Sequence, residues 1–193
     1  MPISTSSLFA APFGRQDRSA AWQVAAVVLG TLVLAASSHA EVPMVPVPIT
    51  LQTLAVTLIG ALYGWRLGAV TILAWLGQGA LGFPVLAGGA SGLHHFVGAT
   101  GGYLLAFPIA GALTGWLVER GWNAGRIGLA FLAMLFGNMV CLALGAAWLA
   151  ILIGGSQAIM LGVVPFLLGG LLKSALGAAV LAVLSRGPLR RRA

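Results

Sequence analysis

One residue in this chain is placed where its chemistry is hard to ignore. Lys173 closes the run Pro165-Phe166-Leu167-Leu168-Gly169-Gly170-Leu171-Leu172-Lys173, inside an apolar stretch at 158–184. A lysine at bilayer depth costs about 2.5–3.5 kcal/mol on insertion scales. The three acidic residues, Asp17, Glu41 and Glu119, all lie outside the apolar stretches, so none neutralises it from within a span. Two readings follow. Either the ammonium awaits an anion from outside, such as a ligand carboxylate, or its stem carries it to an interface or to neighbouring hydroxyls. Counted from residue 158, Lys173 stands about four helical turns in, unless Pro165 restarts the helix.

Other polar groups able to hold a ligand fall in and around two unusual loops. The first is Glu41-Val42-Pro43-Met44-Val45-Pro46-Val47-Pro48-Ile49-Thr50-Leu51-Gln52-Thr53. Three prolines at this spacing forbid a helix and predict a stiff, extended, apolar segment. Its backbone groups need cover, which folding back over the mouth of a helix bundle would supply. Thr50 is a candidate helix N-cap, with Gln52 and Thr53 in the first turn, facing the mouth or the core. A merely rigid hairpin between spans is the plainer alternative. The second loop, 82–103, is dense in glycine and ends in Gly98-Ala99-Thr100-Gly101-Gly102-Tyr103. Glycine permits tight turns and close backbone approach to a ligand. A helix opening here would offer free N–H groups to a carbonyl or carboxylate, with Thr100 and Tyr103 beside them. The plainer alternative here is a flexible loop. Gln78 and Asn138 are amides inside apolar stretches. Either could read a polar ligand head, or bond between helices.

The elements that must position these groups are membrane helices. Of 193 residues, 60% are hydrophobic and 7% charged, and the mean hydropathy is +1.03. Soluble domains carry about 25% charged residues, and a fold of this size has too little interior to hide so much apolar surface. That balance excludes a soluble globule, a disordered chain and a nucleic-acid partner, despite the net charge of +7. The predicted architecture is an all-α integral membrane bundle of six transmembrane helices, at 22–38, 49–64, 67–86, 103–118, 127–153 and 158–184. Residues 1–20 form a cytoplasmic tail, 21–185 the membrane domain and 186–193 a basic tail. A competing reading makes the first span a cleaved signal peptide ending at Ser38-His39-Ala40.

With six spans, Arg15, Arg18, Arg66, Arg120, Arg126, Arg186 and Arg190–Arg192 all fall on one side, while the opposite loops hold Glu41, His39, His94 and His95. The positive-inside rule then makes both termini cytoplasmic. The terminal arginines are also placed to meet anionic headgroups of the lipid bilayer. Small residues recur at helix-packing spacing, as in Ala21-x-x-x-Ala25, Gly60-x-x-x-Gly64-x-x-x-Gly68 and Gly111-x-x-x-Gly115.

Catalysis has little to stand on. Gly89-Ala90-Ser91-Gly92 spells the Gly-x-Ser-Gly of rhomboid proteases, but no histidine follows residue 95 to act as base on a later helix. Paired intramembrane carboxylates, a His-Glu-x-x-His motif and a phosphate-binding loop are all missing from the sequence. The expectation is a protein that is not an enzyme and carries neither cofactor nor metal.

Four segments, Val45–Thr53, Gly82–Gly89, Gly98–Leu104 and Pro165–Lys173, resemble those of BioY, the biotin-binding S component of energy-coupling factor transporters. The resemblance covers about residues 22–185, in order. It implies a six-helix S-component fold with biotin held near the outer face under the first and third loops. It implies partners as well: a transmembrane coupling protein and two cytoplasmic ATPases, with Ala21 and Ala25 as the candidate contact. Two positions depart from the family pattern. Ala99 stands where proline is usual, and Gly170 where the family has an aspartate expected to accept from the ureido N–H groups of biotin. The sequence therefore predicts a biotin-capturing membrane subunit whose candidate site is Gln52, Thr53, Gln78, Thr100, Tyr103, Asn138 and Lys173, with Lys173 on the ligand carboxylate. An S component for another vitamin-like carboxylate and a structural or assembly protein of the membrane are the alternatives.

Overall fold

The computed structural model describes residues 19–186. The arginines at 15, 18 and 190–192 and both expected tails, apart from residues 19, 20 and 186, lie outside the described residues. The chain is built from helices: α1 (Ala20–His39), α2 (Gln52–Ala80), α3 (His94–Val97), α4 (Gly101–Glu119), α5 (Ile127–Ile153), α6 (Gly155–Gly162) and α7 (Val164–Arg186). The strands β1 (Glu41–Val42) and β2 (Ile49–Thr50) pair antiparallel, Glu41 opposite Thr50, and a 3₁₀ turn covers Ala87–Gly89. Among the described residues, five helices, α1, α2, α4, α5 and α7, are long and apolar enough to cross a membrane. Large apolar side chains such as Val24, Leu29, Leu168 and Val183 lie exposed along them, as lipid-facing surface should.

The spans expected at 49–64 and 67–86 are joined in α2, which is not one straight rod. Gly64 has φ 80°, ψ 173° inside it, a left-handed conformation open to glycine and strained for other residues. A Cβ on Gly68 would stand 3.0 Å from the Gly60 Cα, whereas eight residues of straight helix separate two positions by about 12 Å. The two arms of α2 therefore lie side by side, antiparallel, about Gly64. Val56 and Ile72, equidistant from that glycine, both face Gly111 of α4. There is no room for a side chain at the crossing: a Cβ on Gly60 would fall on the backbone carbonyl of Gly111. Close glycine contact of this kind is how helices associate where lipid removes the hydrophobic drive.

The last expected span is also divided. The helix breaks at Val163 (φ −118°, ψ −60°) and restarts at Val164, with Pro165 in the first turn, where its missing N–H has no helical partner to lose. Lys173 is therefore about two and a half turns into α7, rather than four turns into a helix begun at 158. α5 ends where expected, at Ile153, because Gly154 takes φ 89°.

Buried residues form a core in which Trp75, Leu34, Ile72, Leu86, Met134 and Leu149 are among the largest fully enclosed side chains. Polar atoms within it are satisfied mostly by hydroxyls bonding back along their own helix, as Thr114 Oγ1 to Ala110 O at 2.8 Å and Ser174 Oγ to Gly170 O at 2.7 Å.

Candidate functional site: a roofed cavity with one ammonium

The two unusual loops, the N-terminal parts of α2, α4 and α7, and the middle of α5 line a cavity of about 280 Å³. From the first loop come Pro46, Val47, Pro48 and Thr50. Gln52 and Thr53 come from the start of α2, Leu86, Ala87, Ala90 and His95 from the second loop. α4 contributes Thr100 at its N-cap with Tyr103, Leu104 and Phe107, α5 Asn138, Met139, Cys141 and Leu142, and α7 Phe166, Gly170 and Lys173. Phe166, Gly170 and Lys173 recur at four and three residues, one stripe of α7.

Each polar member has a definable state. Lys173 Nζ donates to Thr50 O at 2.6 Å and to Thr53 Oγ1 at 3.3 Å. An ammonium has three donors and no carboxylate among the described cavity-lining residues pairs with it. Gln52 is buried and committed: Nε2 donates to Ser38 Oγ at 2.9 Å, and Oε1 accepts from Thr50 Oγ1 at 2.9 Å. Thr50 is not the N-cap, a position taken by Leu51, though its hydroxyl accepts from the Gln52 N–H at 3.3 Å. The relay Ser38–Gln52–Thr50 thus fixes the carbonyl that receives Lys173.

Asn138 directs both amide bonds away from the cavity, Nδ2 donating to Met134 O (3.0 Å) and Ser174 Oγ (3.1 Å). Its Oδ1 is the acceptor left over. Tyr103 donates to Gly162 O at 2.9 Å and offers its ring, stacked on Phe166 at 6.2 Å between centroids. Thr100 Oγ1 donates to His95 O at 3.1 Å. Gln78 does not line the cavity; it is half-buried, and its carbonyl accepts from the Phe83 N–H at 3.1 Å.

The start of α4 is not an open cradle of N–H groups. Gly101 N and Tyr103 N donate to Gly98 O and Thr100 O, at 3.0 and 3.1 Å. A Cβ on Gly101 would meet the carbonyl of Phe96. Glycine here serves backbone packing in the roof. That roof is pinned by Trp75 Nε1 to Val85 O (2.9 Å), Trp148 Nε1 to Gly98 O (3.0 Å) and Gly92 N to Gly79 O (2.8 Å).

His95 is a lining residue that its sequence position alone did not single out. Burial first, and then its neighbour His94, hold its imidazole below the ordinary value, which favours the neutral ring at neutral pH. Lys173 is then the fixed charge of a mostly apolar chamber, an arrangement suited to binding.

Comparison with known proteins bears on what that chamber serves. The model of the BioY family matches residues 12–189. This chain belongs to the BioY family. Curated BioY relatives include a probable biotin transporter BioY of Pyrococcus horikoshii, 39% identical over 75% of this chain and 85% of that one. Another is the biotin transporter BioY2 of Lactococcus lactis, 36% identical over 72% and 77%. Among solved structures, the S-component for biotin from an ECF-type ABC transporter superposes with TM-score 0.74 at 25% identity, over 88% of this chain and 95% of that one. The BioY chain described here is thus a multi-pass membrane protein of a transporter family, not an enzyme.

Proposed function

We propose that this chain captures biotin at the outer face of the cell membrane as the S component of an ECF-type transporter. The observation that carries this reading is Lys173: an ammonium in a mostly apolar, roofed chamber, held by two neutral oxygens, with capacity for an anion. The ligand carboxylate takes that place, as a charge-assisted bond. Tyr103, Phe107 and Phe166 wall the apolar part of the ligand. Asn138 Oδ1 is the acceptor that supports ureido recognition where Gly170 supplies no carboxylate.

The topology we propose has six crossings, with the arms of α2 counted as two and both termini cytoplasmic. The arginine tally supports it: with the arms counted separately Arg66, Arg120 and Arg126 share a side. Lacking a nucleotide motif, the chain needs a transmembrane coupling protein and two cytoplasmic ATPases for driven uptake. Ala21 and Ala25, both exposed on α1, are the proposed contact.

The test is titration of the purified chain with labelled biotin, with Lys173→Ala beside it. Saturable binding that the substitution removes supports the proposal. Absence of saturable biotin binding, with saturation by another vitamin carboxylate, replaces the ligand. Unchanged binding in Lys173→Ala makes the lysine structural.

A further inference from the structure

Away from the cavity, a second concave feature lies on the lipid-facing side. It is a groove of about 590 Å³ between the Gly64 turn of α2 and α4, lined by Trp65, Pro108, Ile109, Ala112, Leu113 and Trp116. Pro108, Ala112 and Trp116 recur every four residues, so they form one line along α4 about 12 Å long. The lining is apolar throughout, with the small Ala112 at its centre. Trp65 and Trp116 are 41% and 40% exposed.

What separates this groove from the rest of the lipid-facing surface is its charged end. Arg120 continues the same line by four residues, and its guanidinium lies over the Trp116 ring, 3.9 Å from the centroid. Arg66 lies over the Trp65 ring at 4.9 Å. Both are exposed. Glu119 sits between the two helices, where its Oε1 accepts from the Trp65 backbone N–H at 3.2 Å. That contact ties the ends together and leaves a net positive charge. Two indole walls, an apolar trough and two guanidinium groups at one mouth are complementary to a molecule with an acyl chain and a phosphate. Guanidinium matches phosphate by geometry as well as charge, and the headgroup level is where such a pair of Trp–Arg stacks belongs.

We propose that this groove is a binding site for an anionic phospholipid, one acyl chain lying along the Pro108–Ala112–Trp116 line and the phosphate bridging Arg66 and Arg120. The site is independent of the vitamin cavity and holds whichever ligand that cavity takes.

The experiment uses the purified full chain in mixed micelles of phosphatidylglycerol and phosphatidylcholine, with retained lipid counted by native mass spectrometry. Phosphatidylglycerol is expected to be retained in preference. Arg66→Gln and Arg120→Gln should each weaken retention about fivefold, and Ala112→Trp, which fills the trough, should abolish it. Biotin binding by the same samples should stay unchanged, which reports that each variant is folded. Equal retention of the two lipids would overturn the proposal. So would retention unmoved by the arginine changes or by Ala112→Trp. Full competition by glycerol 3-phosphate would also overturn it, since that would make the site one for a soluble phosphate without the chain.

Discussion

Lys173 Nζ lies 2.6 Å from the carbonyl oxygen of Thr50, 123 positions earlier in the chain. The ammonium near the end of the fold therefore latches the loop near its beginning. The bond is charge-assisted, and the acceptor is neutral. A ligand carboxylate is the stronger partner for the same group, so ligand and loop compete for one cation.

Lys173→Ala should lower biotin affinity by at least tenfold, the equivalent of one charge-assisted hydrogen bond at about 1.5–3 kcal/mol. Isothermal titration of the purified variant measures this. Unaltered affinity would mean that the carboxylate binds elsewhere.

Gly170→Asp should tighten biotin binding by about tenfold. The structure has the space: a Cβ at Gly170 meets only the Met139 methyl, at an ordinary 3.7 Å. The new carboxylate would share a helix face with Lys173 and add a ureido acceptor. Parallel titration of both proteins decides it, and weaker binding would mean that it merely neutralises the lysine.

Gln52→Ala should act on stability and affinity together. It removes the acceptor of the buried Thr50 O–H and the amide that donates to Ser38 Oγ, while Ser38 keeps its bond to Leu34 O, so the cost is that of one or two lost buried hydrogen bonds, about 0.5–1.5 kcal/mol each. The melting temperature should fall, and biotin affinity with it as the Thr50 carbonyl loses its support. A thermal melt with an affinity measurement on one preparation checks both.

Gly60→Ala should abolish folded protein, because its Cβ would fall on the Gly111 carbonyl and backbone cannot step aside as a side chain can. Gly77→Ala, on the same helix with open space at the Cβ, should be tolerated. Yield of monodisperse protein in detergent compares the two.

Lowering the pH should destabilise the roof of the cavity. The folded protein holds His95 below the ordinary imidazole value of 6.5, so the unfolded chain takes up a proton first. Stability from the neutral ring is complete above that value and is lost as the pH falls through and below it. The charged or titratable groups facing this region are His94, its ring tilted at 4.1 Å between centroids, Lys173, Tyr103 and Cys141 of the cavity lining, and Glu41 and His39 against Gly88 and Gly89 of the roof. His95→Gln should flatten the fall of the melting temperature below pH 6.5.

Much of this was readable from residue types. The span at 127–153 is uniformly apolar and sharply ended, and α5 keeps those limits. Prolines at 43, 46 and 48 ruled out a helix there, but the segment is not extended throughout: it bends at residues 45–47 and folds back as a hairpin closed by β1 and β2. An unneutralised lysine in an apolar run pointed at a chamber. What resisted reading was direction. Helices apolar on every side carry little signal of which face turns inward, so Gln78 and Asn138 looked equivalent, yet only Asn138 reaches the cavity. By type, the glycines before Tyr103 suit a ligand cradle or a flexible loop, and the position of the Phe96 carbonyl shows that they serve backbone packing instead. The break at Val163 was signalled by Pro165 alone, a residue that starts helices as readily as it ends them.

The turn at Gly64 has a bearing on depth. From Gln52 to Gly64 the first arm of α2 rises only about 18 Å, against a hydrocarbon layer of about 30 Å. In the topology proposed above, which sets the Gly64 end beside Arg66 at one headgroup surface, the Gln52 end stops about 12 Å short of the other. On that placement the chamber at the start of α2 is level with acyl chains, and the proline-rich and glycine-rich loops that roof it stand between the ligand and lipid. A ligand entering it on this placement leaves water before it reaches the mid-plane, and meets protein rather than lipid as it does so.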